Sequence, residues 1–386
     1  MRKDFLVFSK PEITNSDISD ISKILKSGWI GTGPITNLFE KKFAEFKKVD
    51  PFNVVALNSC TSALSLALNS MKIEKNSEII TTPMTFCSTI NTIVNAGLKP
   101  VFVDIKQNTR NIDEDKIEKQ ITKKTKALLI VHFGGLPCNM TKIMKIVKKY
   151  KLKLIEDCAH SIESEYDGKK IGTYGDFSCF SFYATKNITT GGEGGMLISK
   201  SKSNAAYCRK ISLHGMSKDA WKRKNKKGFH HYDVIEPGFK YNMTDLSASM
   251  GINGLKRIEK NLTKRKKICE FYSNSLQNIP IYLPNFYLKK NIIHGHHLYN
   301  ILVNNKSKLS RDQLAKKLNE NNIGVGIHYK HIGDYTFYKN KFNLNSNNFS
   351  NSQKIGKNNL SLPLSASMNL KDAKDVVNAI KKVFND

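Results

Sequence analysis

The chain has 386 residues, 40% of them hydrophobic, with 62 Lys and Arg against 33 Asp and Glu and a formal net charge of +29. That length supports one large domain with a smaller one appended, and seven scattered cysteines without a C-x-x-C pair argue against a disulfide framework and a zinc site. No run of about 18 apolar residues occurs and the apolar run in "MRKDFLVFSKPEIT" is too short for a signal peptide, so a cytoplasmic protein without a membrane span is expected.

Short apolar, β-branched runs then alternate with helical patterns through the first two thirds of the chain. In order, "NVVAL", "SEIITTP", "KPVFVDI", "ALLIVHF", "LKLIEDC", "FSCFSF" and "GGMLISK" are the strand candidates. Continuous apolar strands separated by helices predict an α/β fold with a mostly parallel sheet covered on both faces. Beyond about residue 255 the pattern changes to a long charged helix, "LKRIEKNLTKRKKICEFYSNSL", then "HHLYNILV", a helix near 310 to 321, and a final helix after "SLPLSASM". The expected organisation is a large domain over 1–254 and a smaller C-terminal α+β domain over 255–386. Segment 341–353, "KFNLNSNNFSNSQ", reads as a surface loop before the last helix.

Ligands of such sheets collect at the carboxyl ends of the strands. After the first strand, Asn58, Ser59 and Thr61 precede an apolar helix that their hydroxyls could cap, and whose first amides would suit a phosphate. After the second comes Phe86, an aromatic for core packing or for stacking on a planar ligand. After the fifth come Glu156, Asp157 and His160; a carboxylate ending a buried strand needs a cation, whether a neighbouring Lys or a protonated heterocyclic nitrogen. Then "FSFYATKNITTGGEGGM" supplies Ser181, Lys186 and the tight turns of Gly191 to Gly195. Lys186 stands among aromatic, small and hydroxylic neighbours, where a desolvated amine can form a Schiff base with a carbonyl. Phosphate cup, stacking ring, carboxylate and amine, in that order, describe a pyridoxal phosphate (PLP) site.

The segments "SGWIGTGP", "NSCTSAL", "PMTFCSTINTIVNAGLKPVFVDI", "IEDCAHSIESEYDGKKIGTYGDFSCFSFYATKNITTGGEGG", "GFKYNMTD", "GIHY" and "SLPL" resemble, in sequence order and over nearly the whole chain, the DegT/DnrJ/EryC1/StrS sugar aminotransferases. The resemblance implies fold type I of the PLP-dependent transferases, the aspartate aminotransferase fold, working as a homodimer with PLP or its pyridoxamine form. Lys186 would hold the cofactor and shuttle the proton, Asp157 would keep the pyridine nitrogen protonated, and Phe86 would stack on the ring. His160 would approach the ring face or its phenolic oxygen, and Ser181 with the amides of Thr61 and Ser62 would hold the phosphate. Substrate positions would be Gly28, Trp29, Ile30, Gly31, Cys60, His328 and Tyr329. Two segments depart from the family pattern. Where relatives read G-Y-N-x-R, this chain has Gly238 to Asn242, leaving Lys240 or Asn242 to reach the neighbouring subunit's phosphate; His296 stands where relatives often carry Trp.

A related dehydratase carries histidine at the lysine position, which Lys186 argues against. A nucleic-acid-binding protein would interleave basic residues with exposed aromatics in a known module, and none is present. The lysine excess comes with many Asn and Ile, a bias that an AT-rich coding sequence produces by itself. Within the family, the segment from "LHGMSKDAWKRKNKKGF" onward resembles enzymes that aminate C4 of UDP-4-keto sugars with L-glutamate as donor; C3 amination of dTDP- or GDP-linked sugars and a PLP-binding regulator are the alternatives. Lys222, Arg223 and Lys224 would meet a diphosphate or form a solvated loop.

Overall fold

The computed structural model describes residues 2–217, 232–286, 290–304, 307–342, 344 and 346–385. Its strands in chain order are β1 (Val54–Leu57), β2 (Glu78–Thr81), β3 (Lys99–Phe102), β4 (Thr125–Val131), β5 (Lys153–Asp157), β6 (Glu165–Tyr166), β7 (Lys169–Lys170), β8 (Phe177–Ser181), β9 (Gly195–Ser199), β10 (Ile281–Tyr282), β11 (Ile292–Ile293), β12 (Tyr299–Val303) and β13 (Asn359–Leu362). The helices are α1 (Asn15–Ser27), α2 (Pro34–Lys47), α3 (Cys60–Ser70), α4 (Cys87–Asn95), α5 (Glu114–Ile117), α6 (Met140–Tyr150), α7 (Lys202–Ile211), α8 (Asp245–Ser275), α9 (Arg311–Glu320), α10 (Thr336–Phe342), α11 (Ser350–Asn358) and α12 (Leu370–Asn385).

The seven strand candidates all enter one seven-stranded sheet of order β1-β9-β8-β5-β4-β2-β3. Every pairing among β8, β5, β4, β2 and β3 is parallel, and β9 alone runs against its neighbours β1 and β8. Side chains alternate across the pleat, so each strand feeds two cores. Ala56, Ile80, Leu128, Ile130, Leu154 and Met196 pack with Phe39 and Phe43 of α2, Ile143 of α6 and Ala248 of α8. Their sequence neighbours Val55, Leu57, Ile79, Leu129, Ile155 and Leu197 pack on the other face with Leu64 and Leu68 of α3, Ile93 of α4 and Cys208 of α7. Burial on both faces is why these strands read as continuous apolar runs.

The C-terminal unit builds its own core on the antiparallel sheet β10-β12-β13, with Tyr299, Ile301, Leu360 and Leu362 against Leu314 and Leu318 of α9 and Val376 and Ile380 of α12. No break falls at residue 254. Helix α8 runs unbroken through it for 31 residues, about 46 Å at 1.5 Å per residue. Ala248 and Ile258 belong to the large-domain core and Ile268 and Tyr272 to the C-terminal one, so the changeover lies between Ile258 and Ile268. Leu6 also joins the C-terminal core, bridging to Ile323. At the seam, the buried Arg265 pairs with the buried Glu163 and donates from Nε to the His296 carbonyl at 3.0 Å. Stranding either charge there would cost about 3–5 kcal/mol.

Segment 341–353 is largely helical rather than a loop: it contains the end of α10, a 3-10 turn over Ser346–Phe349 and the start of α11. Phe342 and Phe349 pack on Phe102, and Asp104 accepts the amides of Asn351 and Ser352, both at 3.0 Å. A remote carboxylate thus serves α11, whose own first residues lack a cap. Helix α2 uses the same device. Its N-cap is Gly33 with proline at the first turn, and the buried Asp245 accepts the amides of Gly33 and Thr36 at 2.8 Å and of Ile35 at 3.1 Å.

Candidate active site

A cavity of about 440 Å³ opens at the carboxyl ends of the parallel strands. Ser59, Cys60 and Thr61 reach it from the β1–α3 junction, Thr85, Phe86 and Ser88 from β2–α4, Val131 from the end of β4, and Asp157, Ala159 and His160 from β5 onward. Ser181, Tyr183, Thr185, Lys186 and Glu193 close it between β8 and β9, and the C-terminal unit contributes His328 and Tyr329.

Ser59 caps α3 by accepting the Ser62 amide at 3.0 Å. The first intrahelical bond is Ala63 N–H to Ser59 O, so the amides of Cys60 and Thr61 precede the helical ladder and carry its positive end. Ser62 does not line the cavity: its amide serves Ser59 and its hydroxyl donates to Asn58 Oδ1 at 2.6 Å. The Ser62 amide, expected to hold a phosphate, is thus taken up by Ser59, and the amides left unused at this helix start are those of Cys60 and Thr61. The backbone of β9 passes directly beneath this turn. A Cβ on Gly195 would stand 2.3 Å from the Ser59 carbonyl carbon, which is why the glycine run ends there.

Glu156 and Asp157 point to opposite faces of β5. Glu156 is fully buried and accepts from the amides of Gly172, Tyr174 and Gly175, the Ser178 hydroxyl and His132 Nε2. Burial pushes its carboxyl up, and these hydrogen bonds, led by His132, outweigh it and hold it below its ordinary range. His132, Glu156 and Cys158 are spaced for a metal, but Glu156 is saturated and His132 Nδ1 accepts the Cys138 amide at 3.0 Å. Asp157 turns into the cavity instead. Its Oδ2 accepts from Thr89 Oγ1 at 3.0 Å and its Oδ1 from the Ala159 amide at 3.1 Å, and burial raises its carboxyl above the usual range.

Desolvation pulls the Lys186 ammonium down to about 8. That alone does not single it out, because desolvation brings the fully buried Lys47 to about 8 as well. Lys47, however, donates to the carbonyls of Ile162 and Ile171, both at 2.8 Å, and lies 4.4 Å from the Phe180 ring centroid. Among the described residues no hydrogen bond engages the Lys186 ammonium, and it faces the cavity.

His160 Nδ1 accepts the Gly134 amide at 3.1 Å, which leaves the ring proton on Nε2 to be donated to Tyr329 Oη at 3.0 Å. Burial keeps this imidazole neutral. Both ring nitrogens are thus engaged, so His160 has none left for a cofactor's phenolic oxygen, and the free proton at this wall is the Tyr329 hydroxyl's. His328 Nδ1 bonds Ser361 Oγ at 2.9 Å, and burial lowers the ring to about 3. Phe86 is 56% exposed on the cavity wall, its ring tilted against that of Tyr329 at 6.1 Å between centroids and its remaining face open to the cavity.

Gly28, Trp29, Ile30 and Gly31 do not line this cavity. Their loop is tied to the segment before α8: Gly31 O accepts the Asp245 amide at 2.8 Å, and Thr32 Oγ1 donates to Met243 O and accepts from Asn242 Nδ2, both at 2.5 Å. Asn242 lines a separate cavity of about 240 Å³ with Thr32 and Arg209, and the side chain of Lys240 is exposed. His296 packs on Phe286 at 4.9 Å between ring centroids, away from the site. Lys222, Arg223 and Lys224 lie outside the described residues. Sequence reasoning missed Thr85 and Thr89, whose signal was a pair of hydroxyls at helical spacing, and Glu193, quoted only for the glycines around it.

The sequence profile of the DegT/DnrJ/EryC1/StrS aminotransferase family matches residues 11–381. The chain belongs to that family. It is 41% identical over 384 residues to the spore coat polysaccharide biosynthesis protein SpsC of Bacillus subtilis, covering 99% of this chain and 98% of SpsC. Among solved structures, the PLP form of Spr1654 from Streptococcus pneumoniae superimposes with a TM-score of 0.91 at 29% identity over 99% of both chains. PseC of Helicobacter pylori, an aminotransferase involved in the biosynthesis of pseudoaminic acid, gives 0.91 at 29% identity over 99% of this chain and 100% of PseC. The enzyme is accordingly a PLP-dependent aminotransferase of fold type I.

The residues lining the cavity fit that cofactor. It offers an amine with no hydrogen-bond partner and a buried carboxylate with no ion-pair partner among the described residues, a half-exposed aromatic face, and two helix-start amides in the same wall as the Ser181 hydroxyl. Ser181 accepts the Tyr183 amide at 3.4 Å, which leaves its own proton to donate.

Proposed function

We propose that this enzyme transfers the amino group of L-glutamate to a nucleotide-linked keto sugar, C4 of a UDP-4-keto sugar, for amino sugars of cell-surface glycans made in the cytoplasm. The observation that carries the chemistry is the convergence of Lys186, Asp157 and Phe86 on one cavity at the strand ends. The sugar reading is supported by the relatedness to SpsC and PseC.

When bound, PLP supplies an electron sink for the carbon that loses its proton. The amides of Cys60 and Thr61 and the hydroxyl of Ser181 would bind its phosphate, Phe86 would cover its ring, and Asp157 would hold the proton on the pyridine nitrogen. Lys186 would be the nucleophile and the base, its ammonium brought down to about 8 by desolvation. With no hydrogen-bond partner among the described residues, it would be free to take a proton from one substrate carbon and return it in the second half-reaction. Tyr329, whose oxygen accepts a hydrogen bond from His160 Nε2–H, is left to point its own hydroxyl proton toward the substrate. Glu193 at the rim adds an acceptor for sugar hydroxyls.

The test is a panel of UDP-, dTDP- and GDP-linked keto sugars offered to the pyridoxamine phosphate form, read by recovery of visible absorbance. A UDP-4-keto sugar is expected to restore it. Restoration by simple 2-keto acids and by no keto sugar would make the enzyme an amino-acid transaminase.

We further propose a homodimer in which the loop Gly28–Gly31 and Lys240 or Asn242 serve the neighbouring subunit's site. Supporting this, these residues lie outside their own cavity, and Trp29, Ile30, Leu38, Val234 and Ile235 are exposed in and around the same segments. Sedimentation is expected to give a dimer; a fully active monomer would contradict it.

A further inference from the structure

We propose that Thr85 and Thr89 form a directional hydroxyl relay, running from the cavity wall to Asp157 Oδ2, that positions this carboxylate and keeps it ionised for the cofactor. The inference rests on the reading of Asp157 as the partner of the pyridine nitrogen.

A hydroxyl inside a helix ordinarily bonds back to a carbonyl one turn earlier. Thr92 of α4 does so, donating to Ser88 O at 3.0 Å and Thr89 O at 3.1 Å. Thr89, one turn before it, does not. Its Oγ1 lies 3.0 Å from Asp157 Oδ2 and 2.8 Å from Thr85 Oγ1, the hydroxyl rather than the carbonyl of the residue four positions back. Both threonines are buried, and Thr85 lines the cavity.

A hydroxyl has one proton to give. If Asp157 is ionised, Thr89 must donate to Oδ2, and the bond between the threonines must then be donated by Thr85. The relay therefore runs Thr85 to Thr89 to Asp157, and Thr85 shows the cavity only an acceptor. Were Asp157 protonated on Oδ2, Thr89 would accept from it and donate to Thr85, reversing the relay. The two hydroxyls thus favour one ionisation state and respond as a unit. The other groups facing Asp157 leave this role to them: on Oδ1 there are the Ala159 amide and Cys60 Sγ, the latter at 4.0 Å. Lys186 and His132 act on the carboxylate through space, while Cys60, Cys158, Cys179 and Tyr329 are held neutral by burial.

The experiment measures the Kd of pyridoxamine phosphate from pH 5 to 9 for the wild type and for Thr89→Val, Thr89→Ser, Thr85→Val and the double valine variant, with Asp157→Asn as reference. Losing a donor to the anion raises the pH at which Asp157 becomes neutral, so the acid limb of binding moves upward. Thr89→Val is expected to move it by about one pH unit and to weaken binding about tenfold on that limb. Thr89→Ser restores the wild-type limb, Thr85→Val moves it less in the same direction, and the double variant matches Thr89→Val alone because the hydroxyls act in series. A Thr89→Val profile that superimposes on wild type, or a Thr85→Val shift that adds in full to that of Thr89→Val, overturns the relay while a strong Asp157→Asn effect leaves the reading of Asp157 intact. An Asp157→Asn profile equal to wild type overturns both. Should Thr89→Val fail to fold, the limb of Thr85→Val decides: a shift of a few tenths of a pH unit supports the relay and none overturns it.

Discussion

Replacing Lys186 by alanine is expected to lower turnover by on the order of 10⁴-fold or more while leaving the fold and the binding of pyridoxamine phosphate in place. The size follows from two losses at one residue. Lys186 is the lysine of the cavity, and among the described residues its ammonium has no hydrogen-bond partner, so the amine that would hold the cofactor would also be the one to move the proton in both half-reactions. Lys47 shows why no other lysine replaces it: its amine is equally desolvated but is spent on two carbonyls behind the sheet. Because the Lys186 ammonium has no hydrogen-bond partner among the described residues, replacing it by alanine strands none of them, and thermal unfolding should change little. Stopped-flow measurement of each half-reaction checks this; a variant retaining even a tenth of wild-type turnover would show that the base lies elsewhere.

Asp157→Asn is the second large effect, a loss of about 10²- to 10³-fold in the rate of proton removal from the substrate carbon. Asparagine keeps the shape and can still bond the Ala159 amide, but carries no charge to hold a proton on the pyridine nitrogen. The wild-type carboxylate is raised by burial, countered by the Ala159 amide, Thr89 and Lys186, so this charge is maintained at some cost in the free protein. That is the signature of a group kept for a ligand. A near-wild-type deprotonation rate for Asp157→Asn, measured with deuterated L-glutamate, would place the ring elsewhere.

The large domain was legible because each strand is buried on both faces, which writes a continuous apolar run into "ALLIVHF" or "LKLIED"; only the antiparallel direction of β9 had no mark in its sequence. What escaped has a common physical cause. Helices α2 and α11 are capped by Asp245 and Asp104, residues far away in sequence, so "GTGPITN" and "FSNSQ" carry little of the local cap signal that pattern reading depends on. For the same reason the helical content of 341–353 was hidden behind its Asn and Ser. Helix α8 crosses the interval between the two cores without a break, and an unbroken charged helix gives no boundary to read. In the site, residues at strand ends could be named from order alone, whereas the state of each could not. That the Ser62 amide is used up on Ser59, that both nitrogens of His160 are engaged, and that Lys47 is as desolvated as Lys186 are facts of three-dimensional partnership. The Thr85–Thr89 pair lay in plain view in "MTFCST", but hydroxyls four apart are ordinary around helices until one of them is found on the buried carboxylate of Asp157.

The claim on which the whole account depends is that Lys186 carries the cofactor. Reduction of the purified, PLP-loaded protein with borohydride, followed by proteolysis and mass spectrometry, tests it most directly, since reduction makes the lysine–cofactor link permanent. A pyridoxyl group is expected on the peptide containing Lys186, with the visible absorbance lost in proportion. A pyridoxyl group on any other lysine, Lys47 included, would contradict it.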